Sequence, residues 1–67
     1  MIDIDLSREE IHKAIDSYIH KQRDRDILKD RLTEGMTYEQ LAEKYDLSVR
    51  HTQRIVYKAQ DKLFRHL

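Results

Sequence analysis

Residues 37–54 read Thr37-Tyr38-Glu39-Gln40-Leu41-Ala42-Glu43-Lys44-Tyr45-Asp46-Leu47-Ser48-Val49-Arg50-His51-Thr52-Gln53-Arg54, and this stretch decides the fold. Thr37 with Gln40 three residues on is a capping box, in which the hydroxyl accepts from the Gln40 amide and the Gln40 side chain reaches back. Met36 and Leu41 occupy the two staple positions around it. Leu41, Ala42 and Tyr45 then share one side of a short helix over about 38–45. Asp46 tolerates a left-handed backbone better than most non-glycines. Leu47 is an apolar plug, and Ser48 is the N-cap of a further helix. A short helix, a three-residue turn and a longer helix make a helix-turn-helix, with the small Ala42 where the two helices cross.

The longer helix is strongly two-faced. Thr52, Ile55, Val56, Ala59 and Leu63 recur at helical spacing and form its inner side. Arg50, Gln53, Arg54, Tyr57, Lys58 and Asp61 form its outer side, and the helix is expected to run to about residue 65.

Upstream, Ser7-Arg8-Glu9-Glu10 is another capping box, with Leu6 and Ile11 at its staple positions. Ile11, Ala14, Ile15, Tyr18 and Ile19 line one face, which predicts a helix over 8–22. Residues 21–26 form a charged junction at which the chain either bends or runs on. Ile27, Leu28 and Leu32 define a second helix over about 24–34, and Gly35 is the residue beyond its end, free to take positive φ. Met1 to Leu6 alternates apolar and acidic residues and reads as a short extended arm. The fold class is therefore all-α, a small bundle of about four helices containing a helix-turn-helix. Residues 1–22 supply the arm and first helix, residues 23–67 supply the helix-turn-helix, and the two make a single folded unit. The stripe on helix 8–22 either completes the monomer core or forms the seam of a homodimer, because so short a chain buries limited apolar area.

Composition narrows the function. The 67 residues contain no Cys, no Pro and one Gly, and 39% are charged. One small core is all that fits. Without Cys there is no disulfide and no thiolate metal site. No apolar run reaches the roughly 20 residues of a membrane span, and no signal-peptide pattern opens the chain. The expectation is a cytoplasmic protein that makes no membrane contact. Net charge is zero, but its distribution is uneven. Residues 1–16 carry Asp3, Asp5, Glu9, Glu10 and Asp16 against Arg8 and Lys13. Residues 49–67 carry Arg50, Arg54, Lys58, Lys62 and Arg65 against Asp61 alone, with His51 and His66 adding charge at lower pH.

The basic outer face points to double-stranded DNA. A helix fits the major groove, where residues near its N-terminus reach base edges and flanking cations hold phosphates. Arg50 and Arg54 suit guanine, and Gln53 suits adenine or phosphate. Tyr57 and Lys58 are placed to grip phosphate, the alternative for Tyr57 being to pack on the first helix. Thr37 and Tyr38 open the supporting helix, whose amides face phosphate, although capping alone also accounts for Thr37. Ser48 and His51 complete the expected interface. No nucleophile, base and orienting group occur together. His12 and His20 lie eight apart, too far to chelate jointly. No enzyme activity, metal or cofactor is expected.

Three stretches, together with the end of the last helix, resemble a known family. Arg23-Asp24-Arg25-Asp26-Ile27-Leu28-Lys29-Asp30-Arg31-Leu32, then Gly35 to Ala42, then Tyr45-Asp46-Leu47-Ser48, resemble region 4 of the bacterial sigma-70 family. Residues Arg54 to Leu63 are similar to the end of that family's recognition helix, where an Ala and a Leu recur at this spacing. The resemblance covers Arg23 to Leu63. It implies a domain of the kind that binds the −35 promoter element. It also implies base contacts at Val49, Arg50 and Arg54, and a backbone contact at Gln53. Val49 replaces a usual basic residue, so the site read should differ from the standard element, and a thymine methyl is the contact Val49 suits. Thr52 replaces the family's usual Ile or Val, which implies a looser or locally hydrogen-bonded crossing. Nothing in these residues matches the sigma region that melts the −10 element and grips core polymerase. The expectation is a free-standing regulator of the type found in phages and mobile elements.

The leading reading is a sequence-specific DNA-binding protein acting as a small transcriptional regulator. A protein-interaction adaptor docking on RNA polymerase or on a sigma or anti-sigma partner is the first alternative. The DNA-recognition subunit of a phage terminase is the second.

Overall fold

The computed structural model describes residues 6–66, so the expected arm lies, apart from Leu6, outside the described residues. Four helices follow in order: α1 (Arg8–Tyr18), α2 (Gln22–Thr33), α3 (Tyr38–Tyr45) and α4 (Val49–Arg65). Among the described residues every regular element is a helix, as the periodicity predicts.

Three of the four helix starts are capped by a local side chain. At α1 the Ser7 Oγ accepts from the Glu10 amide at 3.2 Å, while the Ser7 amide donates to Glu10 Oε1 at 3.3 Å. At α3 the same box joins Thr37 and Gln40 at 3.1 and 2.9 Å. At α4 the Ser48 Oγ accepts from the His51 amide at 3.0 Å. Such caps contribute about 1 kcal/mol each by satisfying orphan amides. At the start of α2, Lys21 makes no side-chain cap bond.

The first helix is shorter than expected. The periodicity predicts a helix over 8–22, but α1 stops at Tyr18, and Ile19 is extended at φ −107° and ψ 121°. Two interactions explain the break. Ile19 turns inward and is buried, so the apolar stripe continues into the core without continuing the helix. The Arg25 guanidinium then donates from Nε to the Ile19 carbonyl and from Nη2 to the Asp16 carbonyl, the latter at 3.2 Å. These bonds satisfy carbonyls that a longer helix would have used. As a result α2 starts at Gln22, ahead of the expected residue 24, and ends at Thr33.

Two left-handed residues shape the connections. Gly35 lies at φ 67°, and the Met36 amide returns to the Asp30 carbonyl at 3.3 Å. Asp46 lies at φ 55° and ψ 51°. The Leu47 amide reaches the Ala42 carbonyl at 2.8 Å and the Asp46 amide reaches the Glu43 carbonyl at 3.4 Å. This is the paired pattern of a Schellman termination, with Leu47 supplying the apolar contact.

The core gathers Ala14 and Ile15 of α1, Ile19, Ile27 and Leu28 of α2, Leu41 of α3, and Ile55, Val56, Ala59 and Leu63 of α4. Burying a side chain of this size contributes about 1.5–3 kcal/mol. Helix α1 packs on both α2 and α4. Its apolar face thus serves the core of the single chain, which is the first of the two roles open to it from sequence. Beyond α4, His66 stacks on Tyr18 with ring centroids 4.3 Å apart and planes within 6°.

Thr52 is fully buried at the α3–α4 crossing. Its hydroxyl donates to the Ser48 carbonyl at 2.9 Å, so the polar atom is satisfied within its own helix, as the locally hydrogen-bonded alternative required.

Candidate nucleic-acid interface

The inner face of α4 determines what its outer face can do. Thr52, Ile55, Val56, Ala59 and Leu63 are all buried. By helical geometry the residues between them must point away from the bundle. Arg50, His51, Arg54 and Lys58 are exposed, Val49 is 37% exposed, and Gln53 is half-buried. Among the described residues, neither Arg50, Arg54 nor Lys58 forms an ion pair, whereas Arg65 pairs with Asp61 at 3.0 Å. The first turn of α4 carries no acidic residue, so nothing there cancels the positive end of the helix dipole.

The supporting helix is held in place from behind. Asp30 Oδ2 on α2 accepts from Lys44 Nζ at 2.7 Å and from the Tyr45 hydroxyl at 2.6 Å. Burial pushes the Asp30 carboxyl up, but the bonds from Lys44 and Tyr45 and the Lys44 charge outweigh it and leave it below its ordinary value. Desolvation and the bond to Asp30 push the Tyr45 phenol well above its ordinary value, so it remains a neutral donor. The pair fixes the end of α3 just before the turn that aims α4.

One edge of the interface is aromatic. Tyr57 is 57% exposed and meets Tyr38 edge to face, with centroids 5.9 Å apart. The Arg31 guanidinium lies 4.5 Å from the Tyr38 ring centre. Tyr57 therefore packs on the first residue of α3, and the alternative of packing on the first helix is not what the chain adopts. Thr37 and Ser48 are exposed at the two helix starts, with their side-chain oxygens engaged as acceptors in the caps.

The opposite edge is a cationic cleft of about 500 Å³. His51, Arg54, Lys58 and Lys62 of α4 form one wall. His20 and Lys21 of the α1–α2 junction, with Arg23 and Asp24 of α2, form the other, and Ile19, Ile55 and Ala59 also line it. Arg23 pairs with Asp24 at 3.4 Å. His20, Lys21, Arg23, Lys62 and, on the aromatic edge, Arg31 are the members that sequence reasoning missed. The repeat of cations at 54, 58 and 62 was a signal for Lys62. The junction residues carried no signal, because their position depends on where α1 stops.

The structure thus brings Val49, Arg50, His51, Gln53, Arg54, Tyr57 and Lys58 onto the free side of one helix, with Thr37 and Tyr38 beside it. Among the described residues no cluster of His, Asp or Glu is arranged to hold a metal ion, and no helix is long and apolar enough to cross a membrane. No curated protein and no solved structure matches the chain. The family described as Sigma-70, region 4 matches residues 21–65. That span contains α3, the Asp46 turn and α4 in full, along with the α2 residues that carry Asp30. The helix-turn-helix built on this frame, and the extent of the match, place the chain in the sigma-70 region 4 family, whose members are DNA-binding helix-turn-helix domains.

Proposed function

We propose that the chain is a small transcriptional regulator that reads a specific duplex sequence by laying the N-terminal half of α4 in the major groove. The observation that carries this reading is the division of α4 into a sealed core face and an exposed face bearing Arg50 and Arg54. The groove, about 12 Å wide, admits one helix, and the 17 residues of α4 extend about 25 Å. Arg50 and Arg54, four apart, rise about 6 Å along the helix axis, so they reach different base pairs. Both suit the paired acceptors of guanine, and Val49 suits a thymine methyl. Gln53 lies at the border of the exposed face and supports a backbone or adenine contact. Lys58, Tyr57 and the first-turn amides of α3 behind Thr37 and Tyr38 flank the reading residues and serve phosphates.

Selection of bound duplexes from a random pool tests this directly. A short enriched motif containing guanines that Arg50→Ala or Arg54→Ala degenerates supports it. No enrichment, together with RNA polymerase captured equally by the wild type and the double variant, replaces it with the adaptor reading.

A further inference from the structure

The cleft between the α1–α2 junction and α4 has a property that lies outside base reading. Two of its basic members, His20 and His51, are imidazoles, one on each wall. Both are exposed, and they sit among fixed cations. Lys21 and Arg23 face them from the junction and α2, and Arg54, Lys58 and Lys62 face them from α4. Among the described residues Asp24 is the one carboxylate lining the cleft, and it is engaged with Arg23.

We propose that this cleft is a backbone-phosphate site in which DNA occupancy is coupled to proton uptake by His20 and His51. The inference rests on the DNA-binding reading above and adds to it a regulation by pH. A backbone phosphate seated between the two walls favours the imidazolium, which donates from both ring nitrogens. Phosphate therefore draws protons onto the two rings, and by reciprocity protonation draws in phosphate. Imidazoles as a class change charge between about pH 5 and 8. The other two histidines are placed elsewhere. His12 Nε2 lies 3.4 Å from Thr33 Oγ1 at the α1–α2 contact, and His66 stacks on Tyr18.

The coupling is read by measuring duplex affinity by fluorescence anisotropy at fixed ionic strength from about pH 8 to 5.5, a window set by the imidazole range. The expected result is affinity that strengthens as pH falls, with log K changing by up to about one per pH unit for each imidazole that takes up a proton. His20→Gln and His51→Gln should each flatten the slope and the double variant should remove most of it, while His12→Gln leaves it unchanged. Lys21→Gln and Lys62→Gln should each lower the salt slope by about 0.9 without changing which duplex is preferred. Binding that is strong but independent of pH, or a slope kept in the double variant, overturns the coupling and leaves the DNA reading intact. Absence of duplex binding at every pH defeats the DNA reading itself.

Discussion

Asp30 on α2 accepts a hydrogen bond from the hydroxyl of Tyr45, the last residue of α3, at 2.6 Å. Lys44 Nζ completes the site at 2.7 Å. The carboxylate is 17% exposed, so the pair lies partly out of water. It joins the two helices one residue before the left-handed Asp46, and the turn that follows sets the direction of α4. The direction of α4 therefore rests on an interaction that ties the end of α3 to α2.

Tyr45→Phe should cost about 1–2 kcal/mol in urea denaturation, because it removes a hydrogen bond to a charged acceptor. Asp30→Ala should cost more than Tyr45→Phe, because it frees both donors at once. Equal stability of the three proteins would show that the contact does not hold α3 in place.

Stability should also fall in acid. The Asp30 carboxyl lies below its ordinary value, burial being outweighed by Lys44 and Tyr45. The Asp16 carboxyl is lowered by its hydrogen bond from Lys29, against some desolvation, with the charges of Lys29, Arg25 and His12 assisting. A carboxylate whose pKa is depressed on folding contributes its stability above the unfolded value, near 4, and loses it as pH falls through the folded value. Thermal unfolding midpoints should be flat from pH 7 to about 5 and drop below about pH 4. In Asp30→Asn the drop should be smaller. A drop of equal size in that variant would place the acid sensitivity elsewhere.

Gly35→Ala isolates the cost of a left-handed residue. A Cβ at Gly35 would meet nothing within 4 Å, so packing does not contribute. The expected loss is about 1–2 kcal/mol from the positive φ of 67° alone. An unchanged midpoint in denaturant would mean that the loop relaxes to another conformation.

Thr52→Val should be nearly neutral, within about 1 kcal/mol, although the residue is fully buried. The hydroxyl it removes donates to the Ser48 carbonyl, and that carbonyl keeps the Thr52 amide at 3.0 Å. No buried acceptor is orphaned, so the usual penalty is absent. A loss above about 2 kcal/mol would show that the hydroxyl has a second role at the crossing.

On DNA, Arg50→Ala and Arg54→Ala should each cost about 1–3 kcal/mol for a preferred duplex and little for a random one. Lys58→Ala should weaken both alike and lower the salt slope by about 0.9. Titrations at several salt concentrations separate the two behaviours. A loss at Arg50 or Arg54 that is the same for every duplex would reduce them to phosphate contacts.

Local chemistry made much of the architecture legible in advance. The Thr37–Gln40 and Ser7–Glu10 boxes, the left-handed Asp46 and the Ser48 cap are all contained within four residues of chain, so spacing alone reveals them. The inner face of α4 was equally readable, because helical periodicity fixes which side is sealed. The end of α1 was not. It is set by Arg25 reaching back to the Ile19 and Asp16 carbonyls, a contact of six and nine residues that no periodicity encodes. The cationic cleft was hidden for the same reason. Lys21 and Lys62 are far apart in sequence and line one cleft only once the chain breaks at Ile19 and α4 packs across the break. Tyr57 on Tyr38 likewise needed the crossing of α3 and α4 to be known.

The measurement closest to the central claim is an amide NMR titration of the chain with a short duplex at low salt, where even non-specific binding is strong. The account predicts that the largest shifts fall on Val49, Arg50, His51, Gln53 and Arg54, with a second group at Tyr38 and Lys58 and none at Ile15 or Leu28. Shifts concentrated on α1 and absent from the first two turns of α4 would contradict it.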